Sequence, residues 1–296
     1  MGKRSFYIVD VFANEKYAGN QLAVVRNAVG LSDKEMQSIT RETKFSEATF
    51  IMSDEEKNGG YDVRIFTPAT EVPFAGHPTI GTAFIIQREI IKKPVPKLVL
   101  NLKVGQIPIT ITYKDGQADV LSMKQINPTF GKVWDAGVMA HALNLDRSDI
   151  DERFPVQSVS TGLPFIIVPL KTLSAVKRAK VNPAEFFGLF KSIGEAECID
   201  VFCPETYHKE NNLNVRVFAD CHGTPEDPAT GSGNGCLAGY LVKYGYFGKD
   251  SIDIRLEQGY EIGRPSLLFL KSSAQGDKID VNVGGRVIMM VKGELV

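Results

Sequence analysis

The sequence has 296 residues, which is long for a single hydrophobic core and predicts two packed domains. Hydrophobic residues make up 43% and charged residues 23% of the chain, as in ordinary globular proteins. Lys and Arg number 34 against 35 Asp and Glu, without a basic stripe, so no nucleic-acid partner is expected. No apolar run reaches about 18 residues, so no membrane-spanning helix is expected either.

The first part of the chain favours strands. Runs of β-branched and aromatic residues predict strands at 5–13, 21–26, 45–52 and 61–66. A helix is predicted from Ser32, because Glu35 stands at the position that completes a capping box. Further on, Asp115-Gly116 lies between two alternating runs and predicts a tight hairpin.

The rest of the chain continues this mixture. Asn182-Pro183 predicts the start of a helix that runs through Phe190. Late strands are predicted at 252–257, 266–271, 278–283 and 286–291. Because strands outnumber helices and hairpins are frequent, the sequence predicts an α+β fold with largely antiparallel sheets, not a doubly wound parallel sheet.

The chain also contains an internal repeat. Val-Arg-Ile-Phe at 63–66 returns as Val-Arg-Val-Phe at 215–218, and each is followed by an acidic, proline-bearing loop and an apolar helix. The loop is three residues longer in the second copy. The helices after Gly76 and Gly231 are apolar nearly all round, so each must be buried on all sides. We therefore expect two homologous halves, spanning 1–125 with a C-terminal return at 285–296, and 126–284, each a curved sheet around a central helix.

The segment FSEATF at 45–50 contains a candidate general base. In a strand, Glu47 would share a face with Phe45 and Thr49, and both faces are largely apolar. A partly buried carboxylate needs a raised pKa or a dedicated partner, and both are properties of general bases. The alternative is a glutamate at a strand end that faces solvent.

The segment AGHP at 75–78 places His77 at a predicted helix N-terminus. The helix dipole disfavours an imidazolium there, so a neutral imidazole that donates or relays a proton is one interpretation. The other is a histidine whose hydrogen bonds are satisfied by the local backbone.

The segment EDPATGSGNG at 226–235 opens the second helix. Pro228 keeps Asp227 extended, and the backbone N–H groups at Gly231-Ser232 are suited to bind a carboxylate or phosphate. A plain helix cap and a nucleotide loop are the alternatives, but the glycines fall at 231, 233 and 235 and no Walker lysine follows. Because the repeat makes this helix equivalent to the one at Gly76, we expect the two N-termini to face each other across a cleft, near Glu47, and to hold a small anionic substrate.

The four cysteines give no sign of a metal site. No CxxC pair occurs, and the spacings to nearby histidines match no common zinc site. We expect reduced cytosolic thiols, a cytoplasmic protein, and catalysis without metal, flavin, pyridoxal phosphate or nicotinamide. The cysteines are Cys198, Cys203, Cys221 and Cys236.

Taken together, these motifs resemble the PhzF-like family of phenazine biosynthesis, relatives of diaminopimelate epimerase and proline racemase, over essentially the full length. The matching segments are DVFANEKYAGNQLAVV at 10–25, FSEATF at 45–50, RIFTPATEVPFAGHPTIGTA at 64–83, EDPATGSG at 226–233, GRPS at 263–266 and the final VGGRVIMMVKGEL. The resemblance implies two barrel-like halves, a return of the last strands to the first half, and a homodimer. It also implies that Glu47 is the catalytic acid/base, and that His77, Asp227 and Ser232 line the same site.

The sequence departs from the epimerases at one point. The resemblance places Ala75 and Thr230 where cofactor-free epimerases carry their two catalytic cysteines, and neither can act as a base at neutral pH. One carboxylate with polar helpers suits proton movement between carbons on one face of a substrate, as in isomerisation of trans-2,3-dihydro-3-hydroxyanthranilate. Gly76, Thr230 and Gly231 are expected to contact the substrate. An amino-acid epimerase or racemase, and a non-catalytic binding protein on the same fold, remain the alternatives.

Overall fold

The computed structural model describes residues 4–189, 198–219 and 224–296. The chain divides into two compact units. Unit 1 comprises Met1–Lys124 and Gly284–Val296, and unit 2 comprises Gln125–Val283. Within the described residues, no helix is both long and apolar enough to cross a membrane.

Unit 1 is built mainly from strands. Its elements are β1 (Arg4–Val11), β2 (Asn20–Arg26), α1 (Asp33–Thr43), β3 (Ala48–Ile51), β4 (Tyr61–Phe66), β5 (Glu71–Val72), α2 (Gly76–Ile85) with a π-helical turn (Ile86–Ile91), β6 (Lys97–Leu102), β7 (Gly105–Lys114), β8 (Gln117–Lys124) and, from the end of the chain, β18 (Val287–Leu295).

Unit 2 has more helices. Its elements are β9 (Thr129–Trp134), α3 (Ala136–Ala142), β10 (Val156–Ser160), β11 (Pro164–Pro169), α4 (Leu173–Arg178), α5 (Pro183–Leu189), β12 (Cys198–Cys203), β13 (Leu213–Ala219), β14 (Thr224–Asp227), α6 (Gly231–Lys243), β15 (Ser251–Gln258), β16 (Ser266–Gln275) and β17 (Lys278–Gly285), which ends at the boundary with unit 1.

The two units repeat one pattern of strand pairing. In unit 1, β3 pairs parallel with β2 and antiparallel with β4, which pairs antiparallel with β5 and parallel with β6. In unit 2, β12 pairs parallel with β11 and antiparallel with β13, which pairs antiparallel with β14 and parallel with β15. The last strand, β18, pairs antiparallel with β1. The predicted α+β fold with two repeated halves is confirmed.

A buried helix forms the centre of each unit. Every residue of α2 is buried, and α6 is buried except at Ser232 and Lys243. A Cβ on Gly81 of α2 would lie 2.6 Å from Leu22 Cδ2 and 2.8 Å from Val11 Cγ2, so only glycine allows this approach of the strands. These helices are apolar all round because strands surround them.

The locally encoded elements form as predicted. In α1 the Ser32 hydroxyl accepts from the Glu35 N–H, and the Glu35 carboxylate accepts from the Ser32 N–H. The β7–β8 hairpin turns at Asp115-Gly116, where φ is 50° and 76°. Helix α5 begins at Pro183, whereas Phe190, the predicted end of this helix, lies outside the described residues.

The prediction of a strand over 45–52 is wrong at its beginning. Residues 45 and 46 form a bend, and β3 begins only at Ala48. The reason is that Ala48 pairs with Phe66, the last residue of β4, so the preceding residues have no partner strand on that side. Glu47 therefore precedes the strand and does not share a strand face with Phe45.

Candidate active site

Glu47 lies on a short connection between a helix and a strand. Helix α1 ends at Thr43, and Lys44 closes it in the left-handed conformation, with φ of 56°. Strand β3 starts four residues later, at Ala48. The Glu47 side chain is 19% exposed, so its carboxylate is mostly withdrawn from water although the residue lies outside the strand.

His77 is the second residue of α2. Its side chain is 7% exposed, and Ala75, in extended conformation, is the N-cap residue. This N-cap residue makes no side-chain hydrogen bond to the helix. Since alanine has no acceptor, the N–H groups of the first turn are suited to receive an anionic group of a ligand. The structure thus places Gly76 and His77 at the helix terminus that the sequence predicted.

Glu47 and His77 are brought together in unit 1. Glu47 Oε2 lies 3.6 Å from His77 Nε2. This separation is longer than a direct hydrogen bond but short enough for the two groups to act on one bound substrate, and catalytic hydrogen bonds are often long before a ligand binds. A carboxylate beside an imidazole can accept a proton from carbon and return it elsewhere.

Two threonines that the sequence analysis did not single out join the elements on which Glu47 and His77 lie. The Oγ1 atoms of Thr49 in β3 and Thr82 in α2 are 2.7 Å apart, and both residues are fully buried. Their side chains share the apolar surroundings of the core, which made them look like ordinary strand and helix residues.

The predicted residues of unit 2 form a second group. Thr230 is the N-cap residue of α6, and its hydroxyl donates to Asp227 Oδ2 at 2.5 Å. Because that hydroxyl binds Asp227, it makes no hydrogen bond that caps the helix within the described part of the chain. Gly231 and Ser232 begin the helix, with Gly231 buried and Ser232 partly exposed.

A buried glutamine, missed from the sequence, holds this loop. Gln258 Oε1 accepts from the Thr230 N–H at 3.1 Å and from Asn234 Nδ2 at 2.7 Å. Its Nε2 donates to the Asp227 carbonyl at 2.8 Å and to Thr230 Oγ1 at 3.0 Å. Its position in LEQGYEIGRPS, just before a segment that matched the family, was the one available signal.

The structure therefore places the predicted site residues in two groups. Glu47, Gly76 and His77 lie together in unit 1, and Asp227, Thr230, Gly231 and Ser232 lie together in unit 2. That the two groups serve one substrate stays a prediction.

The described cysteines are buried thiols. Burial raises the pKa of Cys203 and of Cys236 to about 12, and Cys198 is buried as well. Neither N-cap residue, Ala75 or Thr230, is a cysteine. Cys221 lies outside the described residues. Over 4–189, 198–219 and 224–296, no three His, Cys, Asp or Glu side chains form a group that could hold a metal ion.

Comparison with known proteins gives full-length matches. A family model described as phenazine biosynthesis-like protein matches residues 9–293. An uncharacterized isomerase of Mesorhizobium japonicum is 32% identical over 302 residues, covering 100% of this chain and 99% of that protein. The trans-2,3-dihydro-3-hydroxyanthranilate isomerase of Pseudomonas aeruginosa is 30% identical over 291 residues, covering 97% of this chain and 98% of that protein.

Solved structures show the same fold. The crystal structure of a PhzF-family phenazine biosynthesis protein of Bacillus anthracis matches with a TM-score of 0.90 and 28% identity, over 100% of both chains. A probable proline racemase of Agrobacterium radiobacter matches with a TM-score of 0.65 and 10% identity, over 99% of this chain and 93% of the other, which concerns the fold alone. The chain thus has a diaminopimelate epimerase-like fold.

Proposed function

Because this chain belongs to the phenazine biosynthesis-like protein family and is, like its curated relatives, an isomerase, we propose that it moves a proton between two carbons of a small carboxylate substrate. Glu47 is the proposed acid/base, and no cofactor takes part. The observation that carries the proposal is the 3.6 Å separation of Glu47 Oε2 and His77 Nε2, both largely buried, at the start of α2.

The burial of Glu47 supports its role as a base. A mostly desolvated carboxylate binds a proton more readily than one in water, which suits a group that must both take and return a proton. His77 lies at the positive end of the α2 dipole, which disfavours an imidazolium. A neutral imidazole there can hydrogen-bond the substrate without becoming a second charged acid.

The proposed substrate carries a carboxylate. The N-cap residue of α2, Ala75, has no side-chain acceptor of its own, and Thr230 turns its hydroxyl to Asp227 instead of to α6. Each helix therefore offers backbone donors to an anion. The trans-2,3-dihydro-3-hydroxyanthranilate that the Pseudomonas aeruginosa relative isomerises is the first compound to test.

For the alternative, an amino-acid epimerase or racemase, a mechanism that uses two thiols is disfavoured by the positions of the cysteines. Thiolate chemistry needs an accessible thiol of lowered pKa, whereas burial raises the pKa of Cys203 and Cys236. A Cys221→Ser variant that keeps full activity after treatment with iodoacetamide would support the carboxylate mechanism. Loss of activity in step with alkylation would favour the epimerase.

The deciding experiment follows solvent deuterium. Wild-type protein, Glu47→Gln and the control Glu42→Gln, whose site is exposed on α1, are incubated in D₂O with the test substrate and then with a panel of small cyclic carboxylates. We expect deuterium in the wild-type and Glu42→Gln products, and a rate about 10²–10⁴-fold lower in Glu47→Gln. Turnover by Glu47→Gln near the wild-type rate would refute Glu47 as the base.

A further inference from the structure

The contact between Thr49 and Thr82 links the two backbones that carry Glu47 and His77. Thr49 lies two residues after Glu47 in β3, and Thr82 lies five residues after His77 in α2. Their Oγ1 atoms are 2.7 Å apart, and Thr82 Oγ1 is also 2.7 Å from the Pro78 carbonyl oxygen. Pro78 directly follows His77. The Thr49 hydroxyl, the Thr82 hydroxyl and the Pro78 carbonyl thus connect the backbone near Glu47 with the backbone near His77.

The Thr82 hydroxyl is the donor in both of these contacts. A threonine hydroxyl has one hydrogen, and a carbonyl oxygen has none to give. The one hydrogen of the Thr82 hydroxyl is therefore shared between the Pro78 carbonyl and Thr49 Oγ1. Thr82 is thus the donor that connects β3, through Thr49, with the start of α2, through Pro78.

The surroundings of the two threonines strengthen the hydrogen bond between them. Thr49 and Thr82 are both fully buried, so water cannot replace either partner. A hydrogen bond in such an environment resists stretching, because a separated hydroxyl would be left unsatisfied. The β-branched side chains also have few rotamers, which limits the positions that each Oγ1 can take.

We infer that Thr49 and Thr82 are positioning residues that set the distance between Glu47 and His77. This inference rests on the proposed function, in which the two side chains act on one substrate. Neither threonine touches the substrate; both act through the backbones of β3 and α2. A shift of the helix along the strand by a fraction of an ångström would change the separation of the carboxylate and the imidazole.

Matched variants separate positioning from stability. Thr82→Val and Thr49→Val keep the shape and remove one hydroxyl, whereas Thr82→Ser and Thr49→Ser keep the hydroxyl. The Thr49→Val/Thr82→Val double variant removes both hydroxyls, so neither is left buried without its hydrogen-bond partner. We expect the melting temperature of the double variant to recover toward wild type, while kcat stays up to about 10²-fold lower with KM little changed. The serine variants should recover most of kcat.

A second measurement is independent of turnover. The chain has four histidines, and the NMR signal of His77 is the one absent from the His77→Asn spectrum. Its titration midpoint should move in the valine variants and return in the serine variants. If kcat and the His77 midpoint stay at wild-type values in Thr82→Val, or if serine fails to restore them, the inference is overturned. If Glu47→Gln remains active while the His77 midpoint still moves in the valine variants and returns in the serine variants, the proposed function fails and the positioning role stands.

Discussion

Arg64 and Arg216 hold equivalent places in the two units, and each binds a glutamate through two guanidinium nitrogens. Arg64 donates to Glu71 at 2.8 and 3.0 Å, and Arg216 donates to Glu226 at 3.0 and 2.7 Å. Each glutamate lies five residues before the first residue of the central helix, at Gly76 or Gly231. The three extra residues of the second loop therefore lie between Arg216 and Glu226. The spacing from the glutamate to the helix is the same in both copies.

The two ion pairs differ in burial. The side chains of Arg216 and Glu226 are 10% and 9% exposed, against 27% and 21% for Arg64 and Glu71. Arg216 also donates to the Val176 and Ala179 carbonyls. Because a buried charge that loses its partner is costly, the same substitution should have unequal effects in the two units.

We predict that Arg216→Met lowers the free energy of unfolding by about 3–5 kcal/mol, and Arg64→Met by clearly less. Urea denaturation of both variants measures this. Arg216→Met/Glu226→Leu removes both members of the hydrogen-bonded pair and leaves only Glu261, 4.0 Å from Arg216 Nε, without its cation, so part of the loss should be regained. Equal losses in Arg64→Met and Arg216→Met would contradict the role assigned to burial.

Asp200 holds in unit 2 the place that Thr49 holds in unit 1. Asp200 pairs with Val217, as Thr49 pairs with Ile65, and Ile65 and Val217 occupy the same position of the repeat. Asp200 is fully buried, and among the described residues neither carboxyl oxygen has a hydrogen-bond partner. Burial raises the pKa of Asp200 well above its ordinary range.

This raised pKa predicts the sign of a pH effect. Between the ordinary pKa of aspartate and its raised value, the folded protein binds a proton that the unfolded chain releases, so this group makes stability fall as pH rises. Asp200→Asn removes the effect. The difference in unfolding free energy, variant minus wild type, should therefore increase with pH above about 4, by up to about 1.4 kcal/mol per unit. The exposed Asp250→Asn is the control, and a difference independent of pH would contradict the assignment.

The sequence predicted the features that depend on residues close together in the chain. The Ser32–Glu35 capping box and the Asp115-Gly116 turn depend on residues close in the chain, and both form. The repeat identified both helix N-termini, because each copy has the same order of strand, acidic loop and apolar helix. The start of β3 was missed, since it depends on where β4 ends, at Phe66.

The contacts that hold the candidate site could not be predicted in the same way. Thr49 and Thr82 are 33 residues apart, and Gln258 lies 28 residues from Thr230. Polar residues in otherwise apolar segments give no indication of which distant group they contact. Such pairs follow from packing of the finished fold, so local pattern alone does not reveal them.

Substitution of glycine by alanine is expected to have opposite effects on stability at Gly81 and at Gly188. A Cβ on Gly81 would lie within 2.8 Å of two core side chains, whereas a Cβ on the exposed Gly188 of α5 meets nothing within 4 Å. We predict that Gly81→Ala costs about 1–3 kcal/mol of stability through overpacking, and that Gly188→Ala gains up to about 1 kcal/mol from helix propensity. Thermal melts measure both, and a neutral Gly81→Ala would show that α2 has room to move.

Gln258 is suited to its place because its two ends have opposite hydrogen-bonding character. Oε1 faces two donors, the Thr230 N–H and Asn234 Nδ2, while Nε2 faces the Asp227 carbonyl and Thr230 Oγ1. Gln258→Leu removes all four contacts at once. We expect a loss of several kcal/mol, since each buried group left unsatisfied costs about 1–3 kcal/mol.

Gln258→Glu tests the same network with nearly the same shape. One carboxyl oxygen can still accept from Thr230 and Asn234, but the other faces the Asp227 carbonyl, which cannot donate. The buried glutamate must therefore stay protonated to donate there, so its pKa is expected to rise above its ordinary value. A raised pKa in the folded state means that stability falls as pH rises, whereas the loss in Gln258→Leu should not depend on pH. Urea denaturation at pH 5 and pH 8 compares the two variants with wild type and with the exposed control Gln117→Glu. Wild-type stability of Gln258→Glu at pH 8 would show that the amide of Gln258 does not hold the loop at Asp227 and Thr230.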